Sequence, residues 1–327
     1  MLTIITNGRI LTPKGWIENG WIIFDAEKII DIGEGDMPCN CDKIIDAKGN
    51  YILPGGIDTH VHGGGGHDFM EGDEEAFRIA ANTHLRHGTT AIYPTLAAAS
   101  KEIILKAAAT TEKLMAEPNS TIMGLHLEGP YFNITMAGGQ IPEYIRTPDR
   151  DEYTDIIEKT SCIKRWDAAP ELEGATEFGR YVSSKSIIAS IAHTTAGYNE
   201  VKAAYDAGYS HATHFYNAMT SVHKKREFKY EGTIESIYLM ENMSVELVAD
   251  GIHVPPTILR LIHHIKGVER ACVITDALAC AASDSTTAFD PRVIIEDGVC
   301  KLADRTALAG SVATMDRLIR TLVQKAE

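Results

Sequence analysis

The chain has 327 residues, of which 44% are hydrophobic and 23% are charged, the proportions of an ordinary soluble globular protein. This composition excludes collagen-like, low-complexity and coiled-coil proteins. The 31 basic and 45 acidic residues leave a formal net charge of −14, so nucleic acid is not expected as a partner. An anionic small molecule stays open as a ligand, because local donors and not the summed charge would hold it.

The sequence contains no apolar run of the ~18 to 20 residues that a membrane-spanning helix needs, and its amino terminus lacks the pattern of a signal peptide. We therefore expect a cytoplasmic protein without a membrane partner. Six cysteines are spread thinly, without the dense spacing of a disulfide scaffold or a C-x-x-C zinc motif. We expect them to be reduced and mostly structural.

Residues 1–50 show short alternating apolar and polar stretches, separated by turn residues such as Asn7-Gly8 and Asn19-Gly20. Brief strands with turn residues between them predict a small antiparallel β-domain.

From residue 51 onward, short apolar runs alternate with amphipathic helical stretches, which is the pattern of a parallel sheet. Eight such repeats predict an α/β fold, a (β/α)8 barrel over residues 51–327, with a doubly wound sheet as the alternative. Asp297-Gly298 predicts a hairpin inserted near 290–304. The predicted strands are 51–62, 89–95, 121–128, 163–171, 187–193, 211–214, 245–250 and 272–276. The predicted helices are 73–87, 100–115, 149–159, 199–207, 255–265 and 313–325.

Polar residues at the ends of these runs are candidates for an active site, because the active site of such a barrel lies at the carboxyl ends of its strands. Imidazole and carboxylate ligands suit a first-row divalent ion, and the absence of thiols there argues against a structural cysteine site. We therefore predict one or two metal ions, with zinc as the first choice and iron, manganese or cobalt as alternatives. The strand-end residues are His60, His62, Glu128, His193, His214, Asp250, His253 and Asp276.

His60 and His62 are two residues apart, so both imidazoles leave the same face of one strand and can bind one ion. Glu128 is predicted to end a strand facing inward, where a carboxylate is costly unless it is paired or bound to metal. A rim salt bridge is the alternative for Glu128. Single strand-end histidines such as His193 and His214 are more often satisfied locally, but two on successive strands favour metal ligands.

Asp276 ends the eighth run, which in a closed barrel lies beside the first. Its carboxylate is therefore expected next to His60 and His62, where it is the best candidate for a proton shuttle and an additional metal ligand. The histidines within helical stretches are given no chemistry, because surface or packing roles are the expectation there. They are His84, His87, His263 and His264.

Taken together, these segments resemble the N-acetylglucosamine-6-phosphate deacetylases of the amidohydrolase superfamily. The resemblance runs in family order from the first barrel strand to the final helix and covers essentially the whole chain. The matching segments are 54–63 (PGGIDTHVHG), 126–130 (HLEGP), 192–196 (AHTTA), 213–219 (THFYNAM), 250–254 (DGIHV), 275–277 (TDA) and 308–311 (LAGS).

The resemblance implies hydrolysis of N-acetylglucosamine 6-phosphate to glucosamine 6-phosphate and acetate. It implies one metal at Glu128, His193 and His214, with His60 and His62 available for a second. It also implies sugar-phosphate contacts by Asn217, Ala218 and His253 and a homodimer in which Arg226 reaches across to bind the phosphate.

Three departures from the family pattern stand out. The usual Gly-Arg-Glu-Pro-Gly reads KREFK at 225–229, which keeps Arg226 but not its turn. Gln140 stands where many members place a histidine that polarises the carbonyl; it can donate a hydrogen bond but cannot be cationic. Family members usually continue past Lys325 into another helix and closing strands, so the small β-domain is expected to be incomplete.

Two other functions stay open. One is an amidohydrolase that acts on another N-acetyl sugar or on a cyclic amide. The other is an inactive fragment that binds a sugar phosphate or a partner.

Overall fold

The computed structural model describes residues 1–36, 41–284 and 288–326 and divides into two compact units, Met1–Gly55 and Gly56–Glu327. The division lies five residues after the boundary predicted from the sequence. Cys39 falls outside the described residues. Nowhere in the described ranges is there a helix long and apolar enough to cross a membrane.

The first unit is a small sheet whose strands follow the order β3-β2-β1-β4, with β5 also paired to β1. The β1–β2–β3 part is antiparallel, as predicted, but β4 and β5 join β1 in parallel. Asn7-Gly8 and Asn19-Gly20 do not form the predicted turns; they lie opposite each other at an irregularity within β1 and β2. The strands are β1 (Thr3–Thr12), β2 (Gly15–Phe24), β3 (Ile29–Glu34), β4 (Lys43–Asp46) and β5 (Tyr51–Ile52).

The second unit alternates strands with helices. Its strands are β6 (Gly56–Val61), β7 (Gly63–Gly64), β8 (His67–Asp68), β9 (Thr89–Leu96), β10 (Leu125–Tyr131), β11 (Ile163–Ala168), β12 (Ile188–Ile191), β13 (Tyr209–Ala212), β14 (His223–Lys225), β15 (Phe228–Tyr230), β16 (Ser244–Val248), β17 (Ala271–Ile274), β18 (Val293–Glu296) and β19 (Val299–Leu302). Its helices are α1 (Glu74–Arg86), α2 (Lys101–Met115), α3 (Arg150–Lys159), α4 (Ala175–Ser184), α5 (Tyr198–Asp206), α6 (Thr233–Leu239), α7 (Pro256–Lys266) and α8 (Met315–Lys325).

Eight parallel strands form one sheet in the described part of this unit, in the order β6-β9-β10-β11-β12-β13-β16-β17. Hydrogen bonds just beyond these pairings join the last strand to the first. The Asp276 amide donates to the His60 carbonyl at 2.9 Å, and the Thr275 hydroxyl donates to Asp58 at 2.6 Å. The sheet therefore closes, which confirms the predicted (β/α)8 barrel.

Two barrel helices, α4 and α6, were not predicted from the sequence. Helix α4 begins after Gly174 without a side-chain cap, and Gly179 in its interior lowers its helix propensity. That glycine is required by packing, since a Cβ there would lie 2.2 Å from the Tyr209 ring. Helix α6 has only seven residues, too few for a clear periodicity.

Three antiparallel hairpins extend from the barrel loops in the described residues, the short pair β7–β8 and two longer ones. Strands β18 and β19 pair around Asp297 and Gly298, both of which adopt a positive φ, as a tight two-residue turn requires. This hairpin packs on the loop after β17, where Cys280 Sγ lies 3.4 Å from Cys300 Sγ. The second hairpin, β14–β15, carries Arg226 at its turn.

Candidate metal centre and active site

Glu128, His193 and His214 converge at the mouth of the barrel. Glu128 Oε1 lies 3.1 Å from His193 Nε2 and 2.9 Å from His214 Nε2. The two imidazole nitrogens are themselves 3.1 Å apart, and all three residues are nearly fully buried. The structure thus brings together the three residues expected to hold one metal ion.

The hydrogen bonds of the Nδ1 atoms of His193 and His214 show which protonation state their Nε2 atoms have in this cluster. His193 Nδ1 lies 2.7 Å from the Met136 carbonyl and His214 Nδ1 lies 3.1 Å from the Asn217 carbonyl. Carbonyls only accept, so both protons are on Nδ1, and in the neutral rings both Nε2 atoms carry lone pairs. Two lone pairs and a carboxylate oxygen facing one another need a cation or additional protons between them. The donor set therefore fits a divalent metal.

These donors reach the mouth in two different ways. The sequence predicted that Glu128 ends its strand. In the structure β10 continues to Tyr131, and the residues after Glu128 are buried as well. His193 and His214 instead lie two residues beyond the ends of β12 and β13 and adopt left-handed backbone conformations, with φ of 46° and 28°. Such angles are uncommon outside glycine and cluster at functional sites.

A second group of metal-type ligands comprises His60, His62 and Asp276. The His60 and His62 Nε2 atoms are 3.2 Å apart, and each lies 3.4 Å from Asp276 Oδ1. The period-two spacing on β6 thus places both imidazoles together, as expected. His62 Nε2 is also 3.2 Å from Glu128 Oε2, so Glu128 presents one oxygen to each group.

Asp276 follows β17 with a φ of 48° and is fixed by backbone hydrogen bonds on both sides. Its amide donates to His60, and its carbonyl accepts from the Ser311 amide at 2.7 Å. Burial raises the pKa of the Asp276 carboxyl, but the charges of His60 and His62 outweigh burial and lower it. The carboxylate is therefore ionised and able to accept a proton.

The electrostatics of the cluster are those of a cation site. Burial opposes ionisation of Glu128, yet the neighbouring imidazoles hold its pKa well below the usual range. Burial also lowers the pKa of His214, but the hydrogen bond and charge of Glu128 dominate and raise it to about 9. The pKa of His62 is likewise raised, by Asp276 and Glu128 against the effect of burial. The cluster therefore favours a positive charge beside Glu128, which a metal ion can supply.

Gln140 contacts Glu128. Its Nε2 donates to Glu128 Oε2 at 2.6 Å, while its Oε1 accepts from the Ala98 amide at 2.7 Å. The amide group is thereby fixed in orientation, and one of its donors is used inside the protein. The contact with the substrate carbonyl expected from the sequence stays a prediction; among the described contacts the Gln140 side chain orients Glu128, and it also lines the pocket above the cluster.

A pocket of about 820 Å³ opens above the cluster, a volume within the range of small-molecule sites. Asn217 and Ala218 line it, as does His253, whose Nδ1 lies 2.8 Å from Asp250. Within the described residues His253 Nε2 has no hydrogen-bond partner. The loop at 134–141 and the segment from Phe289 to Gly310 form the walls.

Arg226 does not reach this pocket. It lies exposed at the β14–β15 turn, with a φ of 58°. Among the described residues that line the pocket, Arg292 is the one lysine or arginine, and its guanidinium donates to Asp290 and to the carbonyls of Gly139 and Gln140. The pocket of one chain therefore offers no uncommitted arginine or lysine among its described lining residues.

Two acids at the site were missed in the sequence, the partly exposed Glu171 and the buried Glu246. Glu171 accepts hydrogen bonds from Asn133, Thr194 and Thr195, so it fixes the loop that carries His193. Glu246 lies beneath His60, within strand β16. A charged residue inside an apolar run, as in Val245-Glu246-Leu247, was the signal that could have identified the second.

Comparison with known proteins matches the profile of the amidohydrolase family to residues 51–313. N-acetylglucosamine-6-phosphate deacetylase of Haemophilus influenzae is 31% identical over 99% of this chain and 83% of that protein. N-acetylgalactosamine-6-phosphate deacetylase of Escherichia coli O157:H7 is 29% identical over 99% of this chain and 84% of its own length.

Among solved structures, a mutant N-acetyl-D-glucosamine-6-phosphate deacetylase from Mycobacterium smegmatis, in complex with N-acetyl-D-glucosamine-6-phosphate, superposes with a TM-score of 0.89. That protein is 29% identical, and the match covers 100% of this chain and 84% of the other.

Proposed function

The chain belongs to the amidohydrolase family and, within it, to the N-acetylglucosamine-6-phosphate deacetylases, and from this membership we propose its reaction. The enzyme hydrolyses the N-acetyl amide of N-acetylglucosamine 6-phosphate and releases glucosamine 6-phosphate and acetate. The observation that carries the proposal is the convergence of Glu128, His193 and His214, with the Asp276 carboxylate beside them.

Glu128, His193 and His214 would hold one divalent ion, and His60, His62 and Asp276 a second. Zinc fits these nitrogen and oxygen donors best, with iron, manganese and cobalt as alternatives. When bound, such an ion polarises an amide carbonyl as a Lewis acid and lowers the pKa of a bound water far below that of bulk water, towards about 7.

Asp276 moves the proton. Its carboxylate is ionised before the reaction, so it accepts the proton of the attacking water. The same carboxyl group then returns the proton to the amide nitrogen of the substrate. This step is needed because a neutral amine is a better leaving group than a deprotonated nitrogen anion. The hydrogen bonds of its backbone to His60 and Ser311 keep this group in place during both transfers.

His253, Asn217 and Ala218 position the sugar. The Nδ1 of His253 faces Asp250, which only accepts when ionised, so Nδ1 carries a proton. Asp250 therefore fixes the ring, and Nε2 remains for the substrate. Gln140 acts through Glu128, which it holds by a hydrogen bond.

The phosphate needs a cationic partner, and among the described residues that line the pocket of one chain the single arginine, Arg292, is already engaged. Arg226 is exposed on a hairpin together with Phe228 and Tyr230, which are 61% and 42% exposed. A homodimer in which this hairpin enters the pocket of the other copy would supply the guanidinium. The exposed aromatic side chains would be covered in the same contact.

A second substrate, N-acetylgalactosamine 6-phosphate, is favoured by the 29% identity to the Escherichia coli enzyme of that name. The two sugars differ only at one hydroxyl, and the fold is shared. The cytoplasmic location predicted from the sequence stays a prediction.

The test combines elemental analysis of the purified protein with an acetate-release assay. Four substrates are compared: the glucosamine and galactosamine derivatives, each with and without the 6-phosphate. We expect stoichiometric metal and the highest kcat/KM for N-acetylglucosamine 6-phosphate. Equal rates for phosphorylated and plain sugars would contradict the phosphate assignment, and bound metal without acetate release would contradict the reaction.

A further inference from the structure

A buried layer of charged residues lies inside the barrel, beneath the metal ligands. Arg165, Asp167 and Glu246 are each at most 1% exposed. The Arg165 guanidinium donates to Asp167 at 3.2 Å and, through Nη2, to Glu246 Oε2 at 2.9 Å. Buried charges are tolerated only where such partners exist, so this layer holds each carboxylate in one position.

Glu246 is an anion in this layer. Arg165 donates to both of its oxygens, through Nη1 to Oε1 and through Nη2 to Oε2, and this two-point pairing holds Glu246 as a carboxylate. The Thr59 hydroxyl donates to Oε1 at 2.9 Å. The other oxygen, Oε2, lies 3.3 Å from Nδ1 of His60.

This contact determines which ring nitrogen of His60 carries the proton. An imidazole that binds a metal through Nε2 has to carry its proton on Nδ1. His60 Nδ1 has two neighbours, Glu246 Oε2 and Arg165 Nη2, each at 3.3 Å. Arginine only donates, so Glu246 is the neighbour that accepts the Nδ1 proton. An arginine without this carboxylate would favour the opposite tautomer.

The two metal groups differ in this respect. His193 and His214 donate their Nδ1 protons to neutral backbone carbonyls of Met136 and Asn217. His60 donates to a carboxylate, which fixes the tautomer and also makes the ring a more basic ligand. The imidazole with a carboxylate partner therefore belongs to the group formed by His60, His62 and Asp276. In the other group, the backbone amide of His214, and not its ring, lies 3.4 Å from Glu246 Oε2.

We propose that Glu246 is a positioning residue that selects the Nδ1–H tautomer of His60 and thereby sets the affinity of the ion bound by His60, His62 and Asp276. The proposal rests on the proposed metal-dependent function. Removal of such a carboxylate partner typically lowers metal affinity 10- to 100-fold. Glu246 touches neither substrate nor metal, and its effect passes through His60.

The test is zinc binding by Glu246→Gln. A glutamine at 246 has one acceptor oxygen, for which Arg165 and His60 compete. Chelator-treated protein is titrated with Zn²⁺ alone by equilibrium dialysis, and bound metal is counted by elemental analysis. We expect two ions in the wild-type protein, and in the variant a 10- to 100-fold weaker affinity for one of them with the other unchanged.

Asp167→Asn is the matched control, because it removes an equally buried carboxylate beside Arg165 whose contacts are to Arg165, Thr213 and His126 and to none of the proposed metal ligands. We expect this variant to bind both ions as the wild type does. Equal loss in both variants, no loss in Glu246→Gln, or a single ion in the wild type would each overturn the proposal.

A measurement on the wild type needs no variant to fold. Nitrogen-15 NMR of histidine-labelled, zinc-loaded protein reports which ring nitrogen of His60 is protonated, and a His60→Asn spectrum assigns the signal. The proposal requires a proton on Nδ1, and a proton on Nε2 would overturn it. Zinc binding is measured without turnover, so failure of the deacetylase reaction would be seen separately.

Discussion

The backbone amide of Asp276 donates to the carbonyl of His60 at 2.9 Å, although the two residues are more than 200 positions apart in the chain. This hydrogen bond joins the last barrel strand to the first and places the proposed proton carrier against the first pair of imidazoles. Barrel closure and assembly of the active site are therefore one structural event. Substitutions of the side chains at this contact can therefore distinguish a loss of turnover from a loss of metal binding.

Asp276→Asn should lower kcat by about 10²- to 10⁴-fold, because the amide cannot accept the proton of the attacking water. Metal bound by Glu128, His193 and His214 should be retained, since Asp276 lies in the other group. Acetate release and elemental analysis on the same preparation test both points. A near-normal kcat would remove Asp276 from the mechanism.

Gln140→Met should weaken metal binding at Glu128 and destabilise the protein. The change leaves the buried Ala98 amide without its partner, which costs about 1–3 kcal/mol. It also frees Glu128 Oε2 from the donor that orients it. Urea unfolding of metal-free protein and zinc titration check the two effects. Gln324→Met, on an exposed face of α8, should change neither, and equal behaviour of the two variants would refute the assignment.

Arg226→Ala should raise KM for the phosphorylated substrate roughly tenfold or more, the expected loss of a charge-assisted hydrogen bond. KM for the unphosphorylated sugar should not change. Lys225→Ala is the neighbouring control and should leave both values near normal.

A mixture of Arg226→Ala and Asp276→Asn chains tests whether the arginine acts across a dimer. Mixed dimers would contain one pocket with Asp276 and a partner arginine, so part of the activity should return after subunit exchange. Activity that stays at the level of the separate variants would place Arg226 outside the partner's pocket.

Much of the site could be predicted from the sequence, because its donors stand at positions that a barrel brings to one edge. His60, His62, His193, His214 and Asp276 are all of this kind, and the structure brings them together. Each follows or ends an apolar run, so topology alone places them. The eight repeats of strand and helix were sufficient to predict the fold.

Other features depend on contacts that no local pattern records. Gln140 turns the nitrogen of its amide to Glu128 because its Oε1 accepts from the N–H of Ala98, which lies 42 positions away in the chain. Helix α4 contains Gly179 because the Tyr209 ring packs there. Glu246 and Arg165 pair across the barrel interior. They are 81 positions apart in the chain, so no local pattern predicts the pair.

Asp68 should make stability depend on pH in the metal-free protein. Burial raises its pKa from 3.8 to about 6, against the opposing effect of His62. The unfolded chain thus loses this proton at lower pH than the folded protein, so stability falls as pH rises from about 4 to about 6. Asp68→Asn cannot ionise and keeps an acceptor for the Met70 amide.

The variant should therefore be more stable than the wild type by up to about 3 kcal/mol at pH 7.5, the equivalent of two pKa units. The difference should shrink towards zero below pH 4. Urea unfolding in the presence of a chelator measures the stability difference between the variant and the wild type at pH 7.5 and below pH 4. A difference that is constant with pH would show that the Asp68 carboxyl is not the cause.

The left-handed backbone at His193, His214 and Asp276 limits what can replace these residues. Glycine and asparagine adopt this conformation most readily, yet neither carries an imidazole or a carboxylate. Either replacement would leave the loops in place while removing a donor. The backbone conformation alone therefore admits replacements that the chemistry does not, so the barrel loops can persist in a chain that has lost its metal donors.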